Sequence, residues 1–190
     1  MVKRILAAFA ALMIMGSLSA SAADNPRVKF TTNFGAFTVE LYPDKAPITV
    51  KNFLQYVNSG YYNGTIFHRV IKGFMIQGGG YEPGLKDKNS RDPIKNEADN
   101  GLRNDTGTIA MARTGDPHSA SDQFFINTHD NDFLNFQARN AKGWGYTVFG
   151  KVTEGMDTVN KIEFTPTYKD GPRQDVPIKD VIIEKAEVVK

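Results

Sequence analysis

Apolar and polar residues alternate in short runs along most of this chain from residue 28 onwards. In 36–41, the apolar Phe37, Val39 and Leu41 alternate with polar residues, which is the period-two pattern of a half-buried strand. Similar runs, or short wholly apolar ones, predict eight strands at 28–32, 36–41, 66–71, 74–77, 108–112, 123–127, 146–152 and 181–189.

Two stretches have the helical period instead. Between Pro47 and Gly60, the apolar residues are spaced three and four apart, at Val50, Phe53, Leu54 and Val57. Met156, Val159 and Ile162 predict a second helix in the same way. Eight strands and two helices with no linker between them predict a mainly β fold, a closed eight-stranded antiparallel β-barrel capped by two α-helices.

The N-terminus has the pattern of a secretory signal peptide. Lys3 and Arg4 precede an apolar run over 5–15, and a small-residue segment follows with a cleavage site near Ala22/Ala23. The apolar run is too short to span a bilayer. We expect residues 1–22 to be removed and 23–190 to form one domain, periplasmic or, as a second choice, secreted. The alternative is a buried N-terminal helix, but 5–15 has no amphipathic pattern.

Charge and cysteine content exclude several classes of function. The chain has 23 Lys and Arg and 21 Asp and Glu, and cleavage removes two of the cations, so the mature chain carries 21 of each sign. A neutral domain without a basic run gives no reason to expect nucleic acid as a partner. Without cysteine, no disulfide or thiolate chemistry is possible. No later segment is apolar enough to span a membrane, so we expect a soluble mature protein.

Three polar side chains interrupt the apolar strand patterns. Arg69, Gln77 and Gln123 lie close in sequence to Phe74, Met75 and Phe125. Arg and Gln are seldom buried without partners. An apolar wall with a few fixed donors is typical of a small-ligand site. The alternative is ordinary core packing for the apolar residues and a surface ion pair for Arg69.

These segments resemble the cyclophilin family of peptidyl-prolyl cis-trans isomerases, and the resemblance extends over about 28–188. It is carried by Phe67-His68-Arg69, Gly73-Phe74-Met75, Gln77-Gly78-Gly79, Gln123-Phe124-Phe125-Ile126 and Val148-Phe149-Gly150-Lys151-Val152. It implies a barrel with its site on the outer face, and a substrate in which an X-Pro amide rotates over a barrier of about 18–20 kcal/mol. No covalent bond breaks, so we expect no cofactor and no metal.

The resemblance also implies the roles of individual residues. Arg69, Gln77 and Phe74 form the catalytic set, in which Arg69 donates to the twisted amide and Gln77 orients Arg69. The residues expected to bind the substrate are Met75, Ala112, Arg113, Gln123, Phe125, Phe133, Leu134 and Tyr146. Clients would be unfolded or partly folded polypeptides that contain proline, and we expect a monomer.

The sequence departs from the family pattern near the site. Phe133 and Tyr146 stand where many members have tryptophan and histidine, the segment 135–145 is longer than in the shortest members, and Arg113 and Lys72 replace asparagine and proline. Phenylalanine lacks the indole N–H donor, so we expect weak binding of cyclosporin-like macrocycles.

Three further features need an interpretation: the role of His68, the run from His118 to Asp122, and a pocket that only binds peptides. His68 neighbours Arg69, but alternation along a strand would point it to the opposite face, so packing or hydrogen bonding is favoured over acid-base chemistry. The run from His118 to Asp122 lacks a nucleophile elbow and does not indicate a hydrolase. The pocket itself could belong to a binding module that clamps proline peptides without isomerising them.

Overall fold

The computed structural model describes residues 25–190, so the predicted signal peptide and its cleavage site lie outside the described residues. Eight strands form the main sheet: β1 (Arg27–Thr32), β2 (Gly35–Leu41), β3 (Phe67–Ile71), β4 (Met75–Gly78), β7 (Thr108–Met111), β8 (Phe124–Asn127), β9 (Val148–Glu154) and β12 (Ile183–Val189). The sheet is antiparallel throughout, with the order β12-β1-β2-β9-β7-β8-β4-β3. All eight predicted strands are confirmed, each within two residues of its expected bounds.

The sheet curls until its edge strands meet, but they do not pair along their length. Between β3 and β12 there is one isolated bridge, Ile66 to Ile182, flanked by the hydrogen bond from the Phe67 N–H to the Val181 carbonyl at 2.9 Å. The predicted barrel is therefore confirmed in strand number and direction, but the sheet is not fully closed, because β3 and β12 meet only at one end.

Both predicted helices are confirmed. The first, α1 (Pro47–Asn58), begins with proline, whose missing N–H costs nothing at that position. Its first free N–H groups are bonded by a residue far along the sequence: the Glu97 carboxylate accepts from the N–H of Ile48 at 3.1 Å and from that of Thr49 at 2.8 Å. The second, α2 (Met156–Glu163), buries Val159 and Ile162. No helix within 25–190 has the length and apolar content needed to cross a membrane.

Two small hairpins were not predicted. One joins β5 (Tyr81–Glu82) to β6 (Lys86–Asp87), and the other joins β10 (Thr167–Asp170) to β11 (Arg173–Pro177). Most of their residues are exposed or half-buried, so no apolar alternation marks them in the sequence. The β10–β11 hairpin is anchored by the buried Val176 and places its turn beside the site described below.

The two faces of the curled sheet carry separate apolar clusters. The inner cluster fills the interior and contains most of the large buried aromatic side chains, Phe30, Phe37, Phe53, Tyr56, Tyr62, Phe67, Phe124 and Phe149. The outer cluster is smaller and consists of Met75, Ala110, Phe125, Leu134 and Val148, with Ile71, Phe74, Leu102, Ala112 and Tyr146 packed against it. Strand alternation separates the two, since Phe124 and Phe125 are neighbours in β8 yet belong to different clusters.

Candidate active site

Four neighbouring strands place the predicted residues in one row on the outer face of the sheet. Arg69 in β3 pairs with Gln77 in β4, Gln77 pairs with Phe125 in β8, and Phe125 pairs with Ala110 in β7. Neighbouring strands lie about 4.8 Å apart. The guanidinium, the amide and the aromatic ring are therefore brought together by register alone, although their residues span more than fifty positions of sequence.

A bulge in β3 decides which way Arg69 points. Phe67 pairs with Gly78 and Arg69 pairs with Gln77, so His68 is an extra residue in the ladder. Phe67 and Val70 both reach the inner cluster. Regular alternation from Phe67 would have sent Arg69 inward as well, and the bulge turns it to the outer face.

The outer face contains an open pocket of about 190 Å³, which we call the outer pocket. Its floor is apolar, and the side chains of Met75, Phe125 and Leu134 in it are buried. The residues that line it are Arg69, Phe74, Met75, Gln77, Ala112, Arg113, Phe125, Leu134 and Tyr146. Its volume is roughly that of six molecules of liquid water, which suits a small ring.

The turn before β4 holds Phe74 in place. Gly73 has a left-handed φ of +71°, and the Phe74 N–H donates to the Ile71 carbonyl at 3.1 Å. Helix α2 braces this turn, because the Glu163 carboxylate accepts from the Gly73 N–H at 2.7 Å. Lys72, which stands in this turn where the family usually has proline, places its ammonium over the Phe164 ring, 4.8 Å from its centroid.

A buried chain of asparagine side chains supports the far wall of the pocket. The Asn131 amide donates to the Phe74 carbonyl at 3.0 Å and to Asn127 Oδ1 at 2.8 Å. The Asn127 amide donates to Asn104 Oδ1 at 3.2 Å, and the Asn104 amide donates to the Leu134 carbonyl at 3.2 Å. Amides buried with their partners in this way fix backbone positions, because breaking one leaves a buried polar group unsatisfied.

The rim of the pocket is aromatic and cationic. Phe133, with 69% of its surface exposed, stacks on Phe74 at 5.6 Å between centroids. Tyr146 meets Phe125 edge to face at 5.7 Å. The Arg113 guanidinium lies 4.5 Å from the centroid of the Tyr146 ring, and its Nε donates to the Gly145 carbonyl at 2.9 Å. Arg113 is therefore a fixed part of the wall.

Arg69 stands at the lip of the pocket, where 44% of its side chain is exposed. Its charged neighbour is Asp175 on the β10–β11 hairpin, with 3.9 Å between Nε and Oδ2. Gln77 Nε2 donates instead to Gln123 Oε1, at 3.0 Å. The orientation of Arg69 by Gln77 thus stays a prediction, while the structure adds Asp175 as a contact of the guanidinium.

This arrangement can hold an apolar ring and present a permanent cation to the amide attached to it. It offers no nucleophile beside a base: His118 Nδ1 accepts the Asn96 N–H at 3.1 Å, and Ser119 Oγ donates to the Asp116 carbonyl at 2.7 Å. Within 25–190, no three His, Asp or Glu side chains are grouped so that they could hold a metal ion.

A model of the cyclophilin type peptidyl-prolyl cis-trans isomerase family matches residues 27–188. The chain belongs to this family. Cyclophilins are peptidyl-prolyl isomerases, and the row of Arg69, Gln77 and Phe125 on the outer face lies where the resemblance implied that the site would be.

Curated relatives agree with this assignment. The cyclophilin is 60% identical over 161 residues to peptidyl-prolyl cis-trans isomerase B of Escherichia coli, which covers 85% of this chain and 98% of that protein. It is 50% identical over 192 residues to peptidyl-prolyl cis-trans isomerase A of Dickeya dadantii, with all of both chains covered. A Cryptosporidium parvum cyclophilin type isomerase crystallised with the dipeptide Ala-Pro superposes with a TM-score of 0.71 at 32% identity, covering 86% of this chain and 99% of that one.

Most residues predicted from the sequence of this cyclophilin line one pocket. Two of them do not: Phe133 sits on the rim above Phe74, and Gln123 lies beside the pocket, against Gln77. Glycine at position 80 leaves room for this side chain, since a Cβ at Gly80 would lie 2.5 Å from Gln123 Nε2.

The prediction for His68 was wrong in one respect. Because of the bulge, His68 lines the same groove as Arg69 instead of the opposite face. Its ring packs against Tyr81 at 4.6 Å between centroids, and within 25–190 its buried Nδ1 has no hydrogen-bond partner. Burial first, and then the charges of Arg69 and Arg173, lower the pKa of His68 to about 4.

Sequence reasoning missed the residues that support the site from a distance. Asp175 and Arg173 lie on a short, largely exposed strand, Asn104 and Asn131 lie between strands, and Asn127 is the buried last residue of β8. The asparagines could have been suspected, because three amides in a region with apolar neighbours need partners. The two charged hairpin residues carry no such mark, since exposed charges are ordinary on protein surfaces.

Proposed function

We propose that this cyclophilin accelerates X-Pro isomerisation during the folding of exported proteins. The observation that carries the proposal is the outer pocket itself: an apolar cavity of about 190 Å³, open to solvent, with Arg69 at its lip. Such a site accepts a proline within a chain, because nothing encloses the segments on either side of it.

The chemistry follows from the electronic structure of the amide. As the C–N bond twists, resonance is lost and the prolyl nitrogen gains a localised lone pair, so a donor near the amide stabilises the twisted state more than the planar one. In the proposed mechanism the pocket holds the proline ring, and Arg69 supplies the donor. Its charge is permanent and its donors are rigidly arranged, so little reorganisation is needed at the moment of rotation.

The proposed setting is the periplasm. The support is the N-terminal pattern, with Lys3 and Arg4 before an apolar run and small residues around Ala22 and Ala23. The mature chain would act there as a soluble monomer on unfolded or partly folded polypeptides that contain proline. We also propose weak binding of cyclosporin-like macrocycles, because the exposed Phe133 offers no N–H donor at the rim.

Export is tested by expressing the full chain in a Gram-negative bacterium and determining the N-terminus of the protein in each cell fraction. We expect a periplasmic protein that begins near Ala23, and retention of the uncleaved chain for Leu12→Arg, which places a charge in the apolar run. Uncleaved wild-type protein in the cytoplasm would contradict export without bearing on isomerase activity.

The folding role is tested with a protein whose slow refolding phase is limited by proline isomerisation. We expect the mature chain to accelerate that phase and Arg69→Ala to lose most of the acceleration. If wild type and Arg69→Ala suppress aggregation equally and neither changes the slow phase, the chain acts on such clients as a binding module.

A further inference from the structure

A second groove continues from the outer pocket past Arg69, towards the β10–β11 hairpin. Its volume is about 420 Å³, larger than the pocket, and we call it the arginine groove. Its lining is His68, Arg69, Gln77, Tyr81, Gln123, Pro172, Arg173 and Gln174. Because Arg69 and Gln77 line both cavities, a residue next to a proline held in the outer pocket comes within reach of the groove.

The lining has two guanidinium groups and no carboxylate. Arg69 is partly balanced by Asp175, which approaches its Nε at 3.9 Å. Arg173 is different: within the described range 25–190, no carboxylate oxygen lies within 4 Å of it. Its charge therefore remains available to a ligand.

Arg173 is nevertheless held in place. Its guanidinium carbon lies 5.4 Å from the centroid of the Tyr81 ring, on the strand that borders the groove. A cation–π contact orients a guanidinium without neutralising it or using its N–H donors. The contact with Tyr81 thus holds the Arg173 guanidinium beside the groove. The Arg173 side chain then has less conformational entropy to lose when a ligand binds.

Other groups in the groove also favour a negative ligand. The buried His68 has its pKa lowered to about 4, partly by the charges of Arg69 and Arg173, so it stays neutral while both guanidiniums raise the local potential. Gln123 accepts from Gln77 through Oε1, and no acceptor within 25–190 takes a hydrogen bond from its NH₂ group.

We propose that the arginine groove is a subsite for an acidic side chain of the client, a glutamate or aspartate within two residues of the isomerised proline. A carboxylate matches the planar fork of Arg173 in a two-point contact. The proposal rests on the isomerase activity of the outer pocket and is independent of export.

The test uses peptides that carry Glu, Gln or Lys at each of the two positions before and after proline, assayed at low ionic strength. We expect Glu to exceed Gln in kcat/KM by about fivefold at one of these positions, the size of an exposed ion pair. The advantage should fall to less than twofold in Arg173→Gln and invert in favour of Lys in Arg173→Glu. It should also shrink in 0.5 M salt, which screens exposed charges.

Lys169→Gln is the matched control, since it removes one cation from the same hairpin at an exposed position outside the groove. It should keep the fivefold advantage. An equal Glu-to-Gln ratio in wild type and Arg173→Gln, or the same loss in Lys169→Gln, overturns the subsite while leaving isomerase activity intact. Failure of the wild type to act on any peptide in the series would contradict the isomerase activity itself.

Discussion

The inner and outer faces of the curled sheet both bury apolar side chains, but they differ in how completely those side chains are packed. On the inner face, aromatic rings pack against one another with almost no exposure, as Phe53 does against Phe30, Tyr62, Phe124 and Phe149 at 5.0–6.2 Å between centroids. On the outer face, the cluster is smaller and ends in exposed groups such as Phe133.

The difference in packing separates the face that stabilises the fold from the face that carries the pocket. The inner cluster supplies the free energy that keeps the chain folded, because burial of apolar surface is the main favourable contribution to folding. The outer cluster leaves a cavity unfilled and the Arg69 side chain half exposed, and neither feature adds to the stability of the fold. Its wall is held by hydrogen bonds from Asn104 and Asn131. The proposed site thus lies on the face whose packing is incomplete.

The largest effect should come from emptying the inner face. Phe53→Ala is expected to lower the free energy of unfolding by about 3–5 kcal/mol, through lost burial and the cavity that remains. Urea denaturation measures this, with Ile48→Ala on the same helix as the control, because Ile48 is 42% exposed. A change below 1 kcal/mol in Phe53→Ala would contradict the assignment of stability to the inner face.

His68, at the bulge between the faces, should make stability depend on pH. The pKa of His68 is about 4 in the folded chain, against the ordinary histidine value of 6.5, so the unfolded chain binds the proton more readily. Stability is therefore full above pH 6.5 and falls as the pH drops towards 4, by about 3 kcal/mol from this residue.

The measurement is the free energy of unfolding of wild type and His68→Gln between pH 7 and pH 4. The variant removes the titrating group, so its curve should be flatter by about that amount. Parallel curves would show that His68 titrates alike in both states, and the bulge would then carry no burial cost.

Removing the charge from the outer face should affect catalysis and leave stability almost unchanged. Arg69→Ala is expected to lower kcat/KM for an Ala-Pro peptide by about a hundredfold, the usual cost of losing one transition-state donor. This corresponds to about 2.7 kcal/mol in the barrier. Circular dichroism and the urea midpoint should match wild type, because the side chain is 44% exposed.

Arg27→Ala is the control for this variant, since Arg27 lies on β1, pairs with Glu154 and lines neither the outer pocket nor the arginine groove. It should keep full activity. Near-wild-type turnover by a folded Arg69→Ala protein would rule out the role assigned to the guanidinium.

The smallest effect concerns the rim. Phe133→Trp adds an indole N–H at an exposed position that stacks on Phe74, and we expect cyclosporin to bind about tenfold more tightly, as one new hydrogen bond allows. Calorimetry measures the affinity, and Phe133→Leu serves as the variant without a donor. An unchanged affinity in Phe133→Trp would assign the weak binding to the segment 135–145.

Most strands and both helices were predictable because the local pattern of apolar residues indicates each of them. Period-two and period-3.6 patterns, together with short wholly apolar runs at β7 and β8, located all eight strands of the main sheet and both helices, since each element must bury one or both of its faces. The pocket residues were recognisable because Arg69, Gln77 and Gln123 break apolar runs, and the family resemblance then implied their roles.

What the sequence by itself determined is therefore the set of elements and the chemistry they carry. The tertiary structure alone decided the direction of Arg69, through a bulge that shifts register by one residue, and the meeting of Arg69 with Asp175 and Arg173 across about a hundred residues of chain. Bulges and exposed short hairpins leave no apolar periodicity, because their positions are set by contacts with distant strands and not by the need to bury a face of their own.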